Sequence, residues 1–298
     1  MTKFEFTGTY SALITPFLEN GNIDFISLEK IIEHQIINGI SGIVVGGSTG
    51  ENFSLTIDEK RELYSKSIQI ANKRCKVIVG TGSNDTLTSC NMSKMALELG
   101  ADAALLVAPY YNKPSQHGLY SHYKLIADEV KELPLIIYNV PGRTAVNILP
   151  STVKKLSNDC PNIVAVKEAS GDLDQMMEIM KNSSPEFGLL SGDDSLTLPI
   201  ILMGGKGVIS VISNYIPKEF SEMVNLALEG NYSKAKDIHY KFLELMNLNF
   251  IESNPTPVKY IMHRLGFCNE VYRMPLMPIK NESKIEIDNE LLKIGLLK

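Results

Sequence analysis

Eight short apolar segments rich in Val, Ile and Leu recur along this chain, at residues 10–14, 42–45, 76–80, 103–107, 135–138, 163–167, 188–191 and 207–211. Their hydrophobicity is continuous rather than alternating, as strands covered on both faces require. Most are separated by a stretch with helical spacing, such as Leu28, Ile31, Ile32, Gln35 and Ile36, or Met92, Met95, Ala96 and Leu99. Eight strand-plus-helix units over about 215 residues match the usual size of a closed barrel, and no GxGxxG fingerprint follows the first strand to favour an open dinucleotide-binding sheet. Beyond Pro217 the strand signal stops, and 220–229, 232–250 and 257–265 read as helices, each entered near Pro or Asn. The expected fold class is α/β: a (β/α)8 TIM barrel carrying the active site over residues 1–224, with a C-terminal helical domain over 225–298.

Composition narrows the partners. With 298 residues and 44% hydrophobic content, the chain can bury a large core and is not a disordered segment. A net charge of −5 provides no basic field for nucleic acid or an anionic membrane. The start of the chain, Met1-Thr2-Lys3-Phe4-Glu5-Phe6, has no apolar signal core, and no apolar run approaches the roughly 20 residues that span a bilayer. Cys75, Cys90, Cys160 and Cys268 lie far apart and form no CxxC pair, which suits a reducing cytoplasm better than a disulfide framework or a zinc site.

In a barrel of this kind the chemistry collects at the C-terminal ends of the strands. Lys167 ends the apolar run Ile163-Val164-Ala165-Val166. An isolated lysine there would ordinarily keep its head in water or pair with Glu168. Buried, it would instead lose part of its charge, because desolvation disfavours the ammonium, and the free amine is the form that attacks a carbonyl carbon. Schiff-base chemistry on a keto acid follows from that reading.

Other strand ends supply the remaining parts. Tyr138 closes the fifth segment, and a neutral phenol within a chain of hydroxyls, to which Thr49 and Tyr111 are candidates, can carry protons to and from a departing hydroxyl. Gly46-Gly47-Ser48-Thr49-Gly50 offers backbone N–H groups and two hydroxyls to a small carboxylate or phosphate. Arg143, after the stiff Pro141-Gly142 turn, has the planar fork that suits bidentate capture of a carboxylate. Asp193-Asp194 is a pair of hard oxygen ligands of the kind magnesium takes, but no further carboxylates gather at the strand ends, and no metal is expected.

Three motifs, Gly47-Ser48-Thr49-Gly50-Glu51, Tyr138-Asn139-Val140-Pro141-Gly142-Arg143-Thr144 and Val166-Lys167-Glu168-Ala169-Ser170-Gly171, stand in order at the ends of successive strands. Together they resemble the dihydrodipicolinate synthase and N-acetylneuraminate lyase family of pyruvate-dependent class I aldolases, over nearly the whole chain. The resemblance implies that Lys167 forms the Schiff base with pyruvate, that Tyr138 donates and accepts protons, and that Ser48 and Tyr111 are relay hydroxyls. It implies that Thr49 and Ile209 hold pyruvate, that Gly192 contributes backbone to the pocket, and that no cofactor is needed. It further implies a homotetramer built from tight dimers, with Tyr111 reaching into the neighbouring subunit's site.

Within the family, an arginine at Arg143 resembles the synthases that condense pyruvate with L-aspartate 4-semialdehyde to 4-hydroxy-tetrahydrodipicolinate, the first committed step toward diaminopimelate and lysine. The second substrate's carboxylate explains that arginine, since a neutral sugar aldehyde would leave a buried guanidinium unpaired at a cost of about 1–3 kcal/mol. Ser48, where synthases commonly carry threonine, points instead toward N-acetylneuraminate or keto-deoxy sugar acid aldolases. A non-catalytic pyruvate or amino-acid binding protein is the more distant alternative. Asn84 and Tyr110 match the family's lysine-feedback site, but Phe53, Ile57, Lys60 and Thr88 replace the residues of lysine-sensitive members, so weak or absent inhibition is expected.

Overall fold

Every one of the eight apolar segments forms a strand in the computed structural model, which describes residues 6–297. They are β1 Gly8–Ala12, β2 Gly42–Val45, β3 Lys76–Gly80, β4 Ala103–Val107, β5 Leu135–Asn139, β6 Ile163–Glu168, β7 Gly188–Ser191 and β8 Gly207–Ser210. Neighbours in sequence are neighbours in the sheet, all parallel, and β8 returns to β1 to close the barrel. β1 begins two residues before the expected start because Gly8 and Thr9 pair with Gly207 and Val208 at the closing seam. Those two residues are not apolar, so hydrophobicity alone did not reveal them.

The strands separate two cores. Outward side chains such as Ile43, Val77, Val79, Ile137 and Val166 pack beneath the helices, while Phe6, Tyr10, Val44, Ile78, Leu105, Ile136, Ala165, Leu190 and Ile209 fill the barrel itself. This double burial is the physical reason for the unbroken apolar runs. Polar side chains start the helices: Asp24, Asp85, Ser115 and Asp172 accept first-turn N–H groups, and Thr56 with Glu59 forms a reciprocal capping box.

After β8 the chain is helical: Pro217–Leu228, Tyr232–Leu248, Thr256–Arg264 and Asn281–Lys293. The first of these packs on β1 and β8 and completes the barrel's outer ring. The expected division between residues 224 and 225 falls inside this helix. The last helix was not anticipated. It buries Ser283, Ile287, Glu290 and Leu291 at helical spacing, but half of that stripe is polar, which hides it from a search for apolar periodicity.

The C-terminal segments grip the barrel through a buried ion pair. Lys259 and Glu51 are each wholly inaccessible and bond directly to one another. Lys259 Nζ also donates to the Val271 carbonyl at 2.7 Å and lies 4.1 Å from the centre of the Phe17 ring. The other Glu51 oxygen accepts the Arg273 backbone N–H at 3.1 Å. The Arg273 fork reaches back to the Gly21 and Ser54 carbonyls at 2.7 and 2.9 Å. Loops after β1 and β2 are thus fixed from the far end of the sequence.

Candidate active site

Lys167 stands on the inward face of β6, two residues beyond the interior Ala165, with Tyr138 of β5 and Leu190 of β7 beside it in register. It is only 6% exposed, and its Nζ lies 4.3 Å from the centre of the Tyr138 ring. Glu168 points to the other face of the sheet, where it accepts from Asn139 Nδ2 at 3.0 Å, the Ser170 N–H at 2.8 Å and Gln175 Nε2 at 3.1 Å. No carboxylate pairs with Lys167 among the described residues. Burial pushes its amine down to about 7; the Asp194 carboxylate opposes that shift and the Arg143 charge adds to it.

A cavity of about 120 Å3 opens above this lysine, lined by Gly47, Ser48, Thr49, Tyr138, Arg143 and Gly192 among others. The expected residues from four different strand ends therefore meet in one place. Burial raises the Tyr138 phenol above its ordinary value, against the pull of Arg143 and of a hydrogen bond with Ser48, so the phenol is protonated and able to donate at neutral pH. The turn after β2 leaves the N–H groups of Ser48 and Thr49 without an acceptor among the described residues. Gly192 is glycine for want of room: a Cβ there would sit 2.6 Å from the Ala169 Cβ and 3.2 Å from the Lys167 Cε.

Each of the two aspartates after β7 commits one carboxylate oxygen to local hydrogen bonds. Asp193 Oδ1 accepts from Ser195 N and Oγ at 3.0 and 2.9 Å, and Asp194 Oδ2 accepts the Val211 and Ile212 N–H groups at 3.0 and 2.8 Å. Among the described residues no three His, Cys, Asp or Glu side chains converge as a metal site would need.

Three expected residues sit differently from the sequence reading. Ile209 lies in the packed barrel interior rather than on the cavity wall. Tyr111 is 86% exposed, at a left-handed φ of 74°, and lines neither this cavity nor its neighbour. Arg143 is an exposed residue at the rim, because the short helix Pro141–Thr144 carries it to the mouth, where its Nη2 donates to the Asn254 carbonyl at 3.1 Å. Its guanidinium is accordingly not the buried group assumed from sequence, and solvent lessens the cost of leaving it unpaired.

Two wall residues, Phe250 and Asn254, come from the C-terminal helical segments and escaped the sequence reading. The run Ser253-Asn254-Pro255 marks only a helix entrance at sequence level. A second cavity of about 380 Å3 adjoins the first and is lined by Phe53, Lys60, Thr88, Tyr110, Tyr138 and Arg143. Among the described residues no carboxylate lines it. Thr88 already gives its hydroxyl to Asp85 Oδ2 at 2.6 Å, and Asn84 offers its carbonyl to Asn112 Nδ2 at 3.1 Å.

Comparison with known proteins gives the family and agrees with the fold. Residues 5–294 match the model of the dihydrodipicolinate synthetase family. The chain is similar to the 4-hydroxy-tetrahydrodipicolinate synthase of Methanocaldococcus jannaschii, 47% identical over 98% of this chain and 100% of the relative. It is also similar to the crystal structure of dihydrodipicolinate synthase from Aquifex aeolicus, with a TM-score of 0.96 and 45% identity over 98% of this chain and 99% of that one. A monomeric dihydrodipicolinate synthase variant superposes with a TM-score of 0.96 at 39% identity, covering 98% of each chain.

Proposed function

This chain belongs to the dihydrodipicolinate synthetase family, and on that footing we propose how its residues divide the reaction. It is a lyase that condenses pyruvate with L-aspartate 4-semialdehyde to 4-hydroxy-tetrahydrodipicolinate, committing carbon to diaminopimelate and lysine. Relatives of that activity at 45–47% identity weigh against the sugar-acid aldolase and binding-protein alternatives. Covalent attachment of pyruvate does the work a cofactor would otherwise do.

Lys167 attacks the pyruvate carbonyl carbon as the free amine. Tyr138 gives a proton to the departing hydroxyl, water leaves, and an imine remains. Loss of a methyl proton turns the imine into an enamine, whose carbon attacks the semialdehyde's aldehyde carbon while the new alkoxide takes a proton. The semialdehyde's amino group then displaces lysine from the imine carbon, closing the ring and returning Lys167 as an amine. Ser48 relays protons to Tyr138; Thr49 holds pyruvate; Gly192 contributes backbone; Arg143 receives the semialdehyde's carboxylate.

Tyr111 supports an oligomeric reading. Tyr111 faces solvent at a left-handed φ and lines neither cavity described above, and in a homotetramer of tight dimers it would complete the partner's relay. The four buried free thiols fit the cytoplasm. Among the described residues no helix is long and apolar enough to cross a membrane, and the net charge of −5 argues against nucleic acid. Lysine inhibits weakly or not at all, since the second cavity offers its ammonium group no carboxylate.

The observation that carries this reading is Lys167, buried, without a carboxylate partner and against the Tyr138 ring. The test is pyruvate turnover with aspartate semialdehyde and with N-acetylmannosamine in parallel, alongside borohydride trapping. Turnover with the semialdehyde and a reduced pyruvyl adduct on Lys167 are expected. Turnover with the amino sugar alone would overturn the substrate assignment, and an adduct on another lysine would overturn the mechanism.

A further inference from the structure

Asn254 connects the C-terminal helical segments to two residues of the cavity wall. It is 5% exposed and lies between the helices Tyr232–Leu248 and Thr256–Arg264. Its Nδ2 donates to Thr49 Oγ1 at 3.0 Å, and its backbone carbonyl receives Arg143 Nη2 at 3.1 Å. Its Oδ1 is buried and has no partner among the described residues. The side chain therefore has one contact to make, and that contact is with Thr49.

A hydroxyl holds one proton and two lone pairs. With a lone pair committed to the Asn254 amide, the Thr49 proton must point elsewhere, and among the described residues no protein acceptor takes it. The Thr49 N–H is likewise without an acceptor. Both donors belong to a residue on the wall of the Lys167 cavity, on a turn whose neighbour Ser48 lies at the Tyr138 phenol.

We propose that Asn254 is a positioning residue: by donating to Thr49 Oγ1 it turns the Thr49 hydroxyl so that its proton, together with the Thr49 N–H, meets the carboxylate of pyruvate. This rests on the reading that Thr49 holds pyruvate. Because Arg143 bonds to the backbone of Asn254, a side-chain substitution leaves that anchor in place. The effect is thus confined to the keto acid and spares the semialdehyde. Truncating a donor of this kind weakens binding by about tenfold, the fold-change equivalent to one charge-assisted hydrogen bond.

The experiment measures half-saturation of borohydride trapping by pyruvate alone, in wild type, Asn254→Ala, Thr49→Val and the double variant. Asn254→Ala is expected to raise the pyruvate concentration required by about tenfold, leave the semialdehyde KM within about twofold, and add nothing in the Thr49→Val background. Asn254→Asp, which keeps the shape but removes the donor, serves the same test if the alanine variant fails to fold. A full additional loss in the Thr49→Val background, or equal rises in both KM values, would overturn the proposal. Trapping needs no second substrate, so a wild type that traps pyruvate but ignores the semialdehyde overturns the substrate assignment and leaves this measurement standing. A wild type that fails to trap pyruvate overturns both.

Discussion

Among the described residues two lysines are buried, and their surroundings differ. Lys259 is wholly enclosed but meets Glu51, the Val271 carbonyl and the face of Phe17. Lys167 is nearly as enclosed yet meets an aromatic ring and no paired carboxylate. Burial is common to both, so burial alone does not make a lysine reactive. The partner decides: burial pushes both amines down, but the Glu51 carboxylate opposes that push directly at Lys259, while Lys167, with no carboxylate bonded to it, falls to about 7, where a free amine is available as a nucleophile.

The comparison is broken most severely by exchanging each lysine for methionine, which keeps the volume and removes the charge. Lys167→Met is expected to cut turnover by more than about 10³-fold, since the covalent route loses its nucleophile; steady-state kinetics would sink the idea if substantial activity remained. Lys259→Met should cost roughly 3–5 kcal/mol of stability, because Glu51 is left buried and alone. Denaturant titration reads that loss, and adding Glu51→Gln should recover part of it. An unstable double variant, no better than the single one, would mean that the pair contributes packing rather than charge compensation.

Stability then distinguishes the two sites in the opposite direction. The Lys167 amine is held near 7 in the folded chain against an ordinary 10.5, so the folded state binds its proton less tightly than the unfolded state does. The resulting penalty is full below about pH 7 and fades as pH rises through the ordinary lysine range, and it amounts to a few kcal/mol at neutral pH by linkage. Lys167→Met should consequently be more stable than wild type at pH 7, with the difference shrinking toward pH 10. Equal stability at pH 7 would show that the amine is not desolvated.

The smallest effect is also the most local. Below about pH 7 Lys167 takes up a proton and ceases to attack, so kcat/KM for pyruvate should fall on the acid side. Arg143 lowers the amine and Asp194 raises it. Arg143→Ala should therefore move the acid limb to higher pH and Asp194→Asn should move it lower, each by a fraction of a pH unit up to about one unit at an exposed or partly screened distance. A limb unmoved by either substitution would assign it to another group.

Much of this was legible in the chain because strong local physics writes itself into residue order. Continuous apolar runs revealed all eight strands, and strand ends located Lys167, Tyr138, Ser48, Thr49, Arg143 and Gly192. What remained hidden depended on partners remote in sequence. Nothing near Glu51 reveals that Lys259 will neutralise it, and nothing near Asn254 reveals Thr49. The exposure of Arg143 was misread because a four-residue helix, too short to leave a periodic signal, lifts it to the rim. The helix Asn281–Lys293 escaped because a serine and a glutamate occupy part of its buried stripe.

The clamp on Glu51 also imposes an order on events in the cell. Glu51 is held at a left-handed φ of 53°, a conformation non-glycine residues avoid, by groups 208 and 222 residues further along the chain. During synthesis all eight strands emerge before Lys259 and Arg273 do. A nascent barrel on the ribosome can therefore close while the turn bearing Ser48 and Thr49 still lacks its lock, which comes into place only after Lys259 and Arg273 have been added to the chain.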